Sequence, residues 1–541
     1  MRRCALAIVS LLACRDAASS GGGSSSTAST SDATSSTSGA IATSEGTSTT
    51  TNADSSGSGG PHFDLGVMPD LVDPTGERVC TVVDDMDAVG HCREQGPPDS
   101  FTPVVEWSWE GGMGETNVVA TPLVANLTDD DGNGTIDLCD VPDIVVVTYD
   151  SLGLAGHIWV LDGATGDEHF RIDHGVDPSA TPALGDIDDD GLPEIVATEL
   201  GGRVVAFEHD GALAWQSTAL VADTYFAALA LADVQSDGDV DIIAGAQVFT
   251  NTGDVLLDVG GSPQYSATLA ADLDGDDEVE IVLGHSAWHG DGTALWETTV
   301  DPGFPQVANL DDDPEPEVLV TNRYGLALID HDGTVQYEEV TPTDAPVGGL
   351  EWLRPATIHD FDGDGFAEIA MSSRDDYNVF EADGTVVWSA AVVDESGVAA
   401  GTAFDFLGDG IAEAMYADEF QMFVYDELGA SILAIERTSL TGTEYPVVVD
   451  VDADGSAEIV VVSNLPFQAM FASPAVQVIG DVDDRWIQAR RIWNQHTYHV
   501  TNVREDGTIP VVEPHHWELL NTFRTNAQIE AGGICMPDAR G

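Results

Sequence analysis

The sequence contains no lysine: its 17 basic residues are all arginine, set against 95 acidic residues for a formal net charge of -78 over 541 residues. A surface this negative repels phosphate backbones and anionic headgroups, which excludes nucleic acid or an anionic membrane as partner. No zincin HExxH, phosphate-binding glycine loop, redox CxxC pair or Ser-His-Asp order is present, so the common motifs of metalloproteases, nucleotide enzymes and serine hydrolases are missing. Long apolar runs are missing too. The N-terminal stretch MRRCALAIVSLLACRD is too brief to cross a bilayer as a stable helix. Hydrophobic content is nonetheless 43%, ordinary for a chain with a sizeable packed core.

What the chain has in excess is carboxylate, and it is concentrated. DIDDDGLPE begins at Asp186, and the same nine-residue pattern recurs as DDDGNGTID from Asp129, DVQSDGDVD from Asp233, DLDGDDEVE from Asp272, NLDDDPEPE from Asn309, DFDGDGFAE from Asp360, DFLGDGIAE from Asp405 and DVDADGSAE from Asp450. The starts lie 37 to 57 residues apart, and the eight loops hold 35 of the acidic residues. Such a period signals a propeller, solenoid or similar array. Crowded carboxylates repel one another unless a cation neutralises them. Oxygen donors at alternate positions, Asp186, Asp188 and Asp190, with Gly191 for a sharp turn and Glu194 closing from the far side, form an oxygen cage of the kind Ca2+ prefers.

Each loop runs at once into a short β-branched segment such as IVATEL, IVLGHS or IVVVSN, whose length and composition predict strands. A helical Ca2+ module needs an acid at the twelfth loop position. Seven loops carry Ala197, Ala244, Leu283, Val320, Met371, Tyr416 and Val461 there; only the first has an acid, Asp140, so closure is expected at position nine. Beyond that strand come a second alternating stretch, a glycine turn and an aromatic-bearing third stretch, as in RVVAFEHDGALAWQS, which is a hairpin signature. Counting the apolar residues ahead of the loop gives four short strands in about 45 residues, one propeller blade. PVVEWSW, from Pro103 to Trp109, reads as a fourth strand without its own blade, suited to completing the last blade and closing the ring. The expected fold class is all-β, a propeller of seven or eight four-stranded blades.

These repeats resemble the FG-GAP or VCBS repeats of the integrin alpha-chain propeller and of many bacterial surface proteins, over roughly residues 115–500. The resemblance implies Ca2+ in the loop joining the first two strands of a blade, bound by side chains at positions one, three, five and nine and a backbone carbonyl at seven. The implied ligands are Asp129, Asp131, Asn133 and Asp137 in the first loop and Asp186, Asp188, Asp190 and Glu194 in the second. Asp233, Gln235, Asp237 and Asp241 follow, then Asp272, Asp274, Asp276 and Glu280, then Asn309, Asp311, Asp313 and Glu317. The sixth loop supplies Asp360, Asp362, Asp364 and Glu368, the seventh Asp405, Asp409 and Glu413, and the eighth Asp450, Asp452, Asp454 and Glu458. Leu407 replaces a ligand in the seventh loop, which is expected to bind weakly or not at all. Asp277 and Pro314 stand where the turn glycine is usual in the fourth and fifth loops and could distort the cage.

The N-terminus resembles a bacterial lipoprotein signal, residues 1–13, which implies cleavage before Cys14 and lipid attachment there. Residues 14–60, almost wholly Ser, Thr, Gly and Ala, are expected to be disordered, with a typical span of roughly 35–40 Å for a tether of this length. Residues 61–100 read as a small cysteine-containing module, 101–500 as the propeller and 501–541 as a cap or tail. Cys80, Cys92, Cys139 and Cys535 are an even set in an export compartment that permits disulfides. The expected pairing is Cys80 with Cys92, stapling the module, and Cys139 with Cys535, joining the first repeat to the tail.

The most distinctive segment outside the repeats is ARRIWNQHTYHVTNVREDG, residues 489–507, with HHW following at His515. Arg490, Arg491, His496, Tyr498 and His499 are types that could move a proton or position a carboxylated sugar. Read as a strand, IWNQHTYHV places His496 and His499 on opposite faces, a poor metal pair, and packing in the last blade or its cap explains these residues better than catalysis. The expectation is therefore an exported cell-surface or outer-membrane lipoprotein, or a secreted form, built on a Ca2+-stabilised propeller. It would act as an adhesion, binding or scaffold module for an extracellular protein or glycan and touch membrane only through its lipid. The alternative is a Ca2+-dependent polysaccharide lyase or other glycan-active propeller.

Overall fold

Glycine-turned hairpins organise most of the described residues into eight antiparallel sheets, with a ninth, two-stranded sheet at Ile529–Glu530 and Gly533–Ile534. The computed structural model describes residues 80–537 apart from 84–85, 87–89, 98–99, 151–154, 261–266, 312, 396 and 466–472. The chain divides into Met1–Val67 and Met68–Gly541, and the described residues all lie in the second unit. The signal, Cys14 and the tether fall outside the described residues.

Blade 2 shows the plan. Ala183–Gly185, Glu194–Thr198, Val204–Phe207 and Leu213–Gln216 pair in chain order. The first three strands are wholly buried and the fourth is mostly exposed. An inner strand is covered on both faces by neighbouring blades and needs a continuous apolar run, whereas the rim strand meets solvent. Blades 3 to 7 repeat the plan over 229–258, 269–297, 304–340, 357–391 and 401–436. In blade 1 the innermost strand is broken into Asn117–Val118 and Leu123–Ala125, both paired to Asp143–Tyr149. Blade 8 comprises Val447–Val449, Glu458–Val462, Val476–Asp481 and, at its rim, Pro103–Trp109. The ring is thus an eight-bladed, all-β propeller closed by its N-terminal strand, as the unpaired PVVEWSW segment predicted.

A repeated contact sets one blade against the next. Trp215, Trp296 and Trp388 from the rim strands of blades 2, 4 and 6 lie over the hairpin glycines Gly253, Gly333 and Gly429 of blades 3, 5 and 7, where an added Cβ would stand 2.5, 2.6 and 2.7 Å from tryptophan atoms. Trp107, in the N-terminal strand, makes the same contact across the closure: it covers Gly166 of blade 1 at 2.4 Å from a built Cβ and donates its indole N–H to Gly163 O at 2.8 Å. These turns need glycine both for its positive φ and for the approach of the ring.

The four cysteines pair as Cys80–Cys139 and Cys92–Cys535, not as expected. Backbone contacts decide this. Leu138 N donates to Cys80 O at 3.1 Å, and Cys92 N donates to Met536 O at 2.8 Å, so each N-terminal cysteine lies along a distant strand of chain rather than against its neighbour in sequence. Gly96 N also binds Leu407 O at 2.7 Å, so this stretch is spread over the propeller.

After blade 8 the chain turns inward. Between residues 482 and 515 it forms only isolated bridges and turns, so the strand expected for IWNQHTYHV does not form. Instead residues 486–528 meet the inner edges of all eight blades. Trp493 bridges Val124 of blade 1, Asn494 O accepts from Leu184 N of blade 2 at 2.8 Å, and Gln495 Oε1 accepts from Leu231 N of blade 3 at 2.9 Å. His515 Nε2 lies 3.2 Å from Asp272 Oδ2 of blade 4, and His516 Nε2 lies 2.8 Å from Val307 O of blade 5. Phe523 exchanges backbone hydrogen bonds with Ile358 of blade 6, Arg524 O accepts from Thr402 Oγ1 of blade 7 at 2.7 Å, and Asn526 Nδ2 donates to Val448 O of blade 8 at 2.8 Å. A segment touching every blade's innermost strand or its end occupies the ring's axis. It cannot be a regular strand, because its hydrogen bonds must point outward all round.

Candidate functional site

The acidic loops all join the first and second strands of their blades. In loops two to eight the position-nine acid is the first residue of the second strand: Glu194, Asp241, Glu280, Glu317, Glu368, Glu413 and Glu458. Its carboxylate accepts the backbone N–H of position two, as in Ile187 N to Glu194 at 2.8 Å, Leu310 N to Glu317 at 2.7 Å and Phe361 N to Glu368 at 2.6 Å. Position two is a buried apolar anchor in each. The position-one aspartate accepts from the N–H groups of positions five and six, at 3.2 and 3.0 Å for Asp186 and 3.0 and 2.7 Å for Asp405. In the regular loops these contacts draw the position-one and position-nine carboxylates in against the turn.

Electrostatics show how unfavourable that is without a counter-ion. Burial, then the charges of the loop aspartates, push Glu194 up to about 8 and Glu317 up to about 8. Burial with Asp362, Asp360 and Glu381 pushes Glu368 up to about 9. Donor oxygens of Asp360, Asp362, Asp364 and Glu368 lie within 4.8 Å of one another. Glu368 Oε1 and Glu194 Oε1 are buried and accept no hydrogen bond, so the oxygen left over by the position-two contact is unsatisfied. An all-oxygen donor set with an unsatisfied buried carboxylate fits a hard divalent cation such as Ca2+.

The irregular loops differ in ways that chain chemistry explains. Asp277 adopts the left-handed φ of 69° that glycine would hold, and its N–H still reaches Asp272 Oδ2 at 2.9 Å. Pro314 has no N–H to offer; Asn309 instead donates its side-chain amide to Asp313 O at 2.7 Å and docks on Asn521. Leu407 leaves the seventh loop with Asp405, Asp409 and Glu413. In the first loop Asp129 accepts from Asn133 N and Gly134 N at 3.0 and 2.9 Å, but the buried acid gathering backbone N–H groups is Asp140, from Asp130, Asp131 and Asp137 at 3.0, 3.2 and 2.9 Å. Asp137 turns to Cys139 N at 2.9 Å. The acid opening the second strand is Asp143, which accepts from Leu127 N at 2.8 Å and lies 3.2 Å from His169 Nε2. The acid at the twelfth position was the available signal for Asp140; Asp143 and His169 fall outside the nine-residue pattern.

On the axis, the basic residues of 489–528 bind the protein's own carbonyls and carboxylates. Arg490 donates to Tyr498 Oη at 2.9 Å, Val500 O at 2.7 Å and Val503 O at 2.5 Å. Arg491 binds Glu505 and Leu138 O, and Arg524 binds Ala356 O at 2.7 Å. Burial, reinforced by the Arg524 charge, holds His496 well below the usual histidine range. Arg490, Arg491, His496, Tyr498 and His499 are each at most 2% exposed, so none reaches a molecule outside.

This ring shares its fold with a biofilm matrix protein. The crystal structure of the V. cholerae biofilm matrix protein Bap1 matches with a TM-score of 0.67 at 22% identity, over 81% of this chain and 100% of that one. A rhamnogalacturonan lyase of Bacillus licheniformis matches with a TM-score of 0.50 at 15% identity, over 78% of this chain and 81% of that one. At such identities the likeness establishes the propeller and nothing finer. No family model and no curated protein matches the chain.

Proposed function

We propose that this protein is an exported, lipid-anchored propeller that takes up Ca2+ in its blade loops and presents a rigid outer surface to an extracellular protein or glycan. The observation that carries the reading is the recurrence of one loop geometry, with its inward-facing carboxylates, at the same place in successive blades. Bound Ca2+ would cancel the repulsion within each loop and lock the turn between the two inner strands. The axis is filled, so recognition falls to blade loops and rim strands.

A groove of about 980 Å3 between blades 5 and 6 offers one such surface, with Tyr337 and Phe366 beside Asp311, Asp313, Glu381 and Asp383. Its charge suits a neutral or cationic ligand rather than a polyanion. A lyase acting on acidic glycan has less support, because Arg490 and Arg524 on the axis are buried against the chain's own carbonyls rather than turned to a substrate.

The deciding experiment combines bound-metal analysis in micromolar Ca2+ with a glycan and matrix-protein panel read by both thermal shift and product release. Several Ca2+ per chain and a ligand-dependent shift without turnover are expected. Absence of bound Ca2+ would overturn the cation reading, and release of an unsaturated sugar product would overturn the binding reading.

A further inference from the structure

His499, Glu513 and His516 meet in the axial segment, with one donor atom from each within 4.8 Å of the others. His499 Nδ1 lies 2.7 Å from Thr497 O, so this nitrogen carries the proton and donates it to the carbonyl. That leaves Nε2 as a lone pair 2.7 Å from Glu513 Oε1. A lone pair and a carboxylate oxygen repel at that distance unless positive charge stands between them. A proton shared between them, carried by His499 or by the carboxyl, would supply it, but would not account for His516. There Nε2 lies 2.8 Å from Val307 O and donates to it, while Nδ1 is buried without a partner. The two imidazole centroids are 4.6 Å apart.

We propose that His499 Nε2, His516 Nδ1 and Glu513 bind a single Zn2+ ion. One ion satisfies the two nitrogen lone pairs and the carboxylate together. Each histidine has its far ring nitrogen fixed by a backbone carbonyl, and Thr501 Oγ1 donates to Glu513 Oε1 at 2.8 Å, which is how outer contacts orient metal ligands. Two imidazoles and a carboxylate select Zn2+ over the Ca2+ suited to the all-oxygen loops. Zinc–ligand bonds of about 2.0–2.1 Å space tetrahedral donors roughly 3.3 Å apart, so the His499–Glu513 pair opens by about half an ångström on binding. Three protein ligands leave the fourth tetrahedral position to a water. The ion would tie the turn carrying His499 to the short helix His516–Leu519, pinning the axial segment on itself.

The test uses the full chain, stripped with chelator, returned to millimolar Ca2+ to saturate the oxygen loops, and then titrated with Zn2+ alone. One Zn2+ per chain is expected, with two imidazoles in its X-ray absorption shell and affinity lowered roughly 100-fold or more in both His516→Gln and Glu513→Gln. Glu513 is only partly buried and glutamine can keep the Thr501 contact, so Glu513→Gln carries the test if His516→Gln does not fold. Failure of the parent chain to bind stoichiometric Zn2+, a shell of oxygen alone, or unchanged binding in folded Glu513→Gln would each overturn the proposal.

Discussion

Arg491 holds Glu505 twice, through its backbone N–H and its Nε, both 3.0 Å from the same carboxylate oxygen. The same guanidinium donates to Leu138 O at 2.6 Å, the residue next to the Cys80–Cys139 disulfide. One buried ion pair therefore ties the axial segment to blade 1.

Removing one member of this pair leaves the other charged and buried, which costs about 3–5 kcal/mol. Glu505→Gln is expected to lower stability to that degree at pH 7. Burial raises the carboxyl's pKa, but Arg491 outweighs it and the folded value lies below the ordinary one. A depressed folded pKa means the contribution is present above the unfolded value and disappears as pH falls through the folded value. Urea unfolding of parent and variant should accordingly begin to converge below the ordinary glutamate value and meet once pH has fallen through the lower, folded one; a constant gap would contradict the role of the charge.

Glu368 has the opposite sign. Its folded pKa, pushed up to about 9 by burial and the loop aspartates, means that the Ca2+-free fold binds an extra proton. Its stabilising effect is full below the unfolded value near 4.5 and is lost as pH rises through about 9. In chelator, the parent should lose stability from pH 5 to 9 more steeply than Glu368→Gln. In millimolar Ca2+ the order reverses, and the variant binds one ion fewer by elemental analysis. Identical pH profiles in chelator would remove the buried-carboxylate argument.

Trp107 is the seam of the ring. Trp107→Ala removes the ring from over Gly166 and the hydrogen bond to Gly163 O, at a cost of about 3 kcal/mol. It also loosens the strand that covers the edge of Val476–Asp481, and an uncovered edge recruits other chains. Faster proteolysis near residue 103 and concentration-dependent oligomers by size-exclusion chromatography are expected; Trp388→Ala, inside the ring, should lower stability without oligomerisation.

Peptide mapping without reduction should recover Cys80 linked to Cys139 and Cys92 linked to Cys535. Replacing both Cys92 and Cys535 by serine should cost about 2–5 kcal/mol and free the C-terminal end first, read by hydrogen exchange around residues 529–534. Recovery of a Cys80–Cys92 peptide would contradict the threading of the N-terminal stretch.

The blades were legible in the chain's local pattern. The acidic loops, the β-branched runs and the glycine hairpins are local signals repeated within each unit, so a window of about 45 residues specifies a blade, and Pro103–Trp109 announced the closure by lacking partners of its own. The remainder depends on long-range contacts. Cysteine pairing depends on which distant backbone each thiol lies along, as Cys92 does against Met536, and no local pattern encodes that. The stretch IWNQHTYHV alternates like a strand, yet Trp493, Asn494 and Gln495 bond in turn to blades 1, 2 and 3 because the chain here runs along the ring's axis. His499 and His516 are brought together by the same threading. Contacts made between residues far apart in sequence leave no periodic trace, and the centre of a propeller is built almost wholly from them.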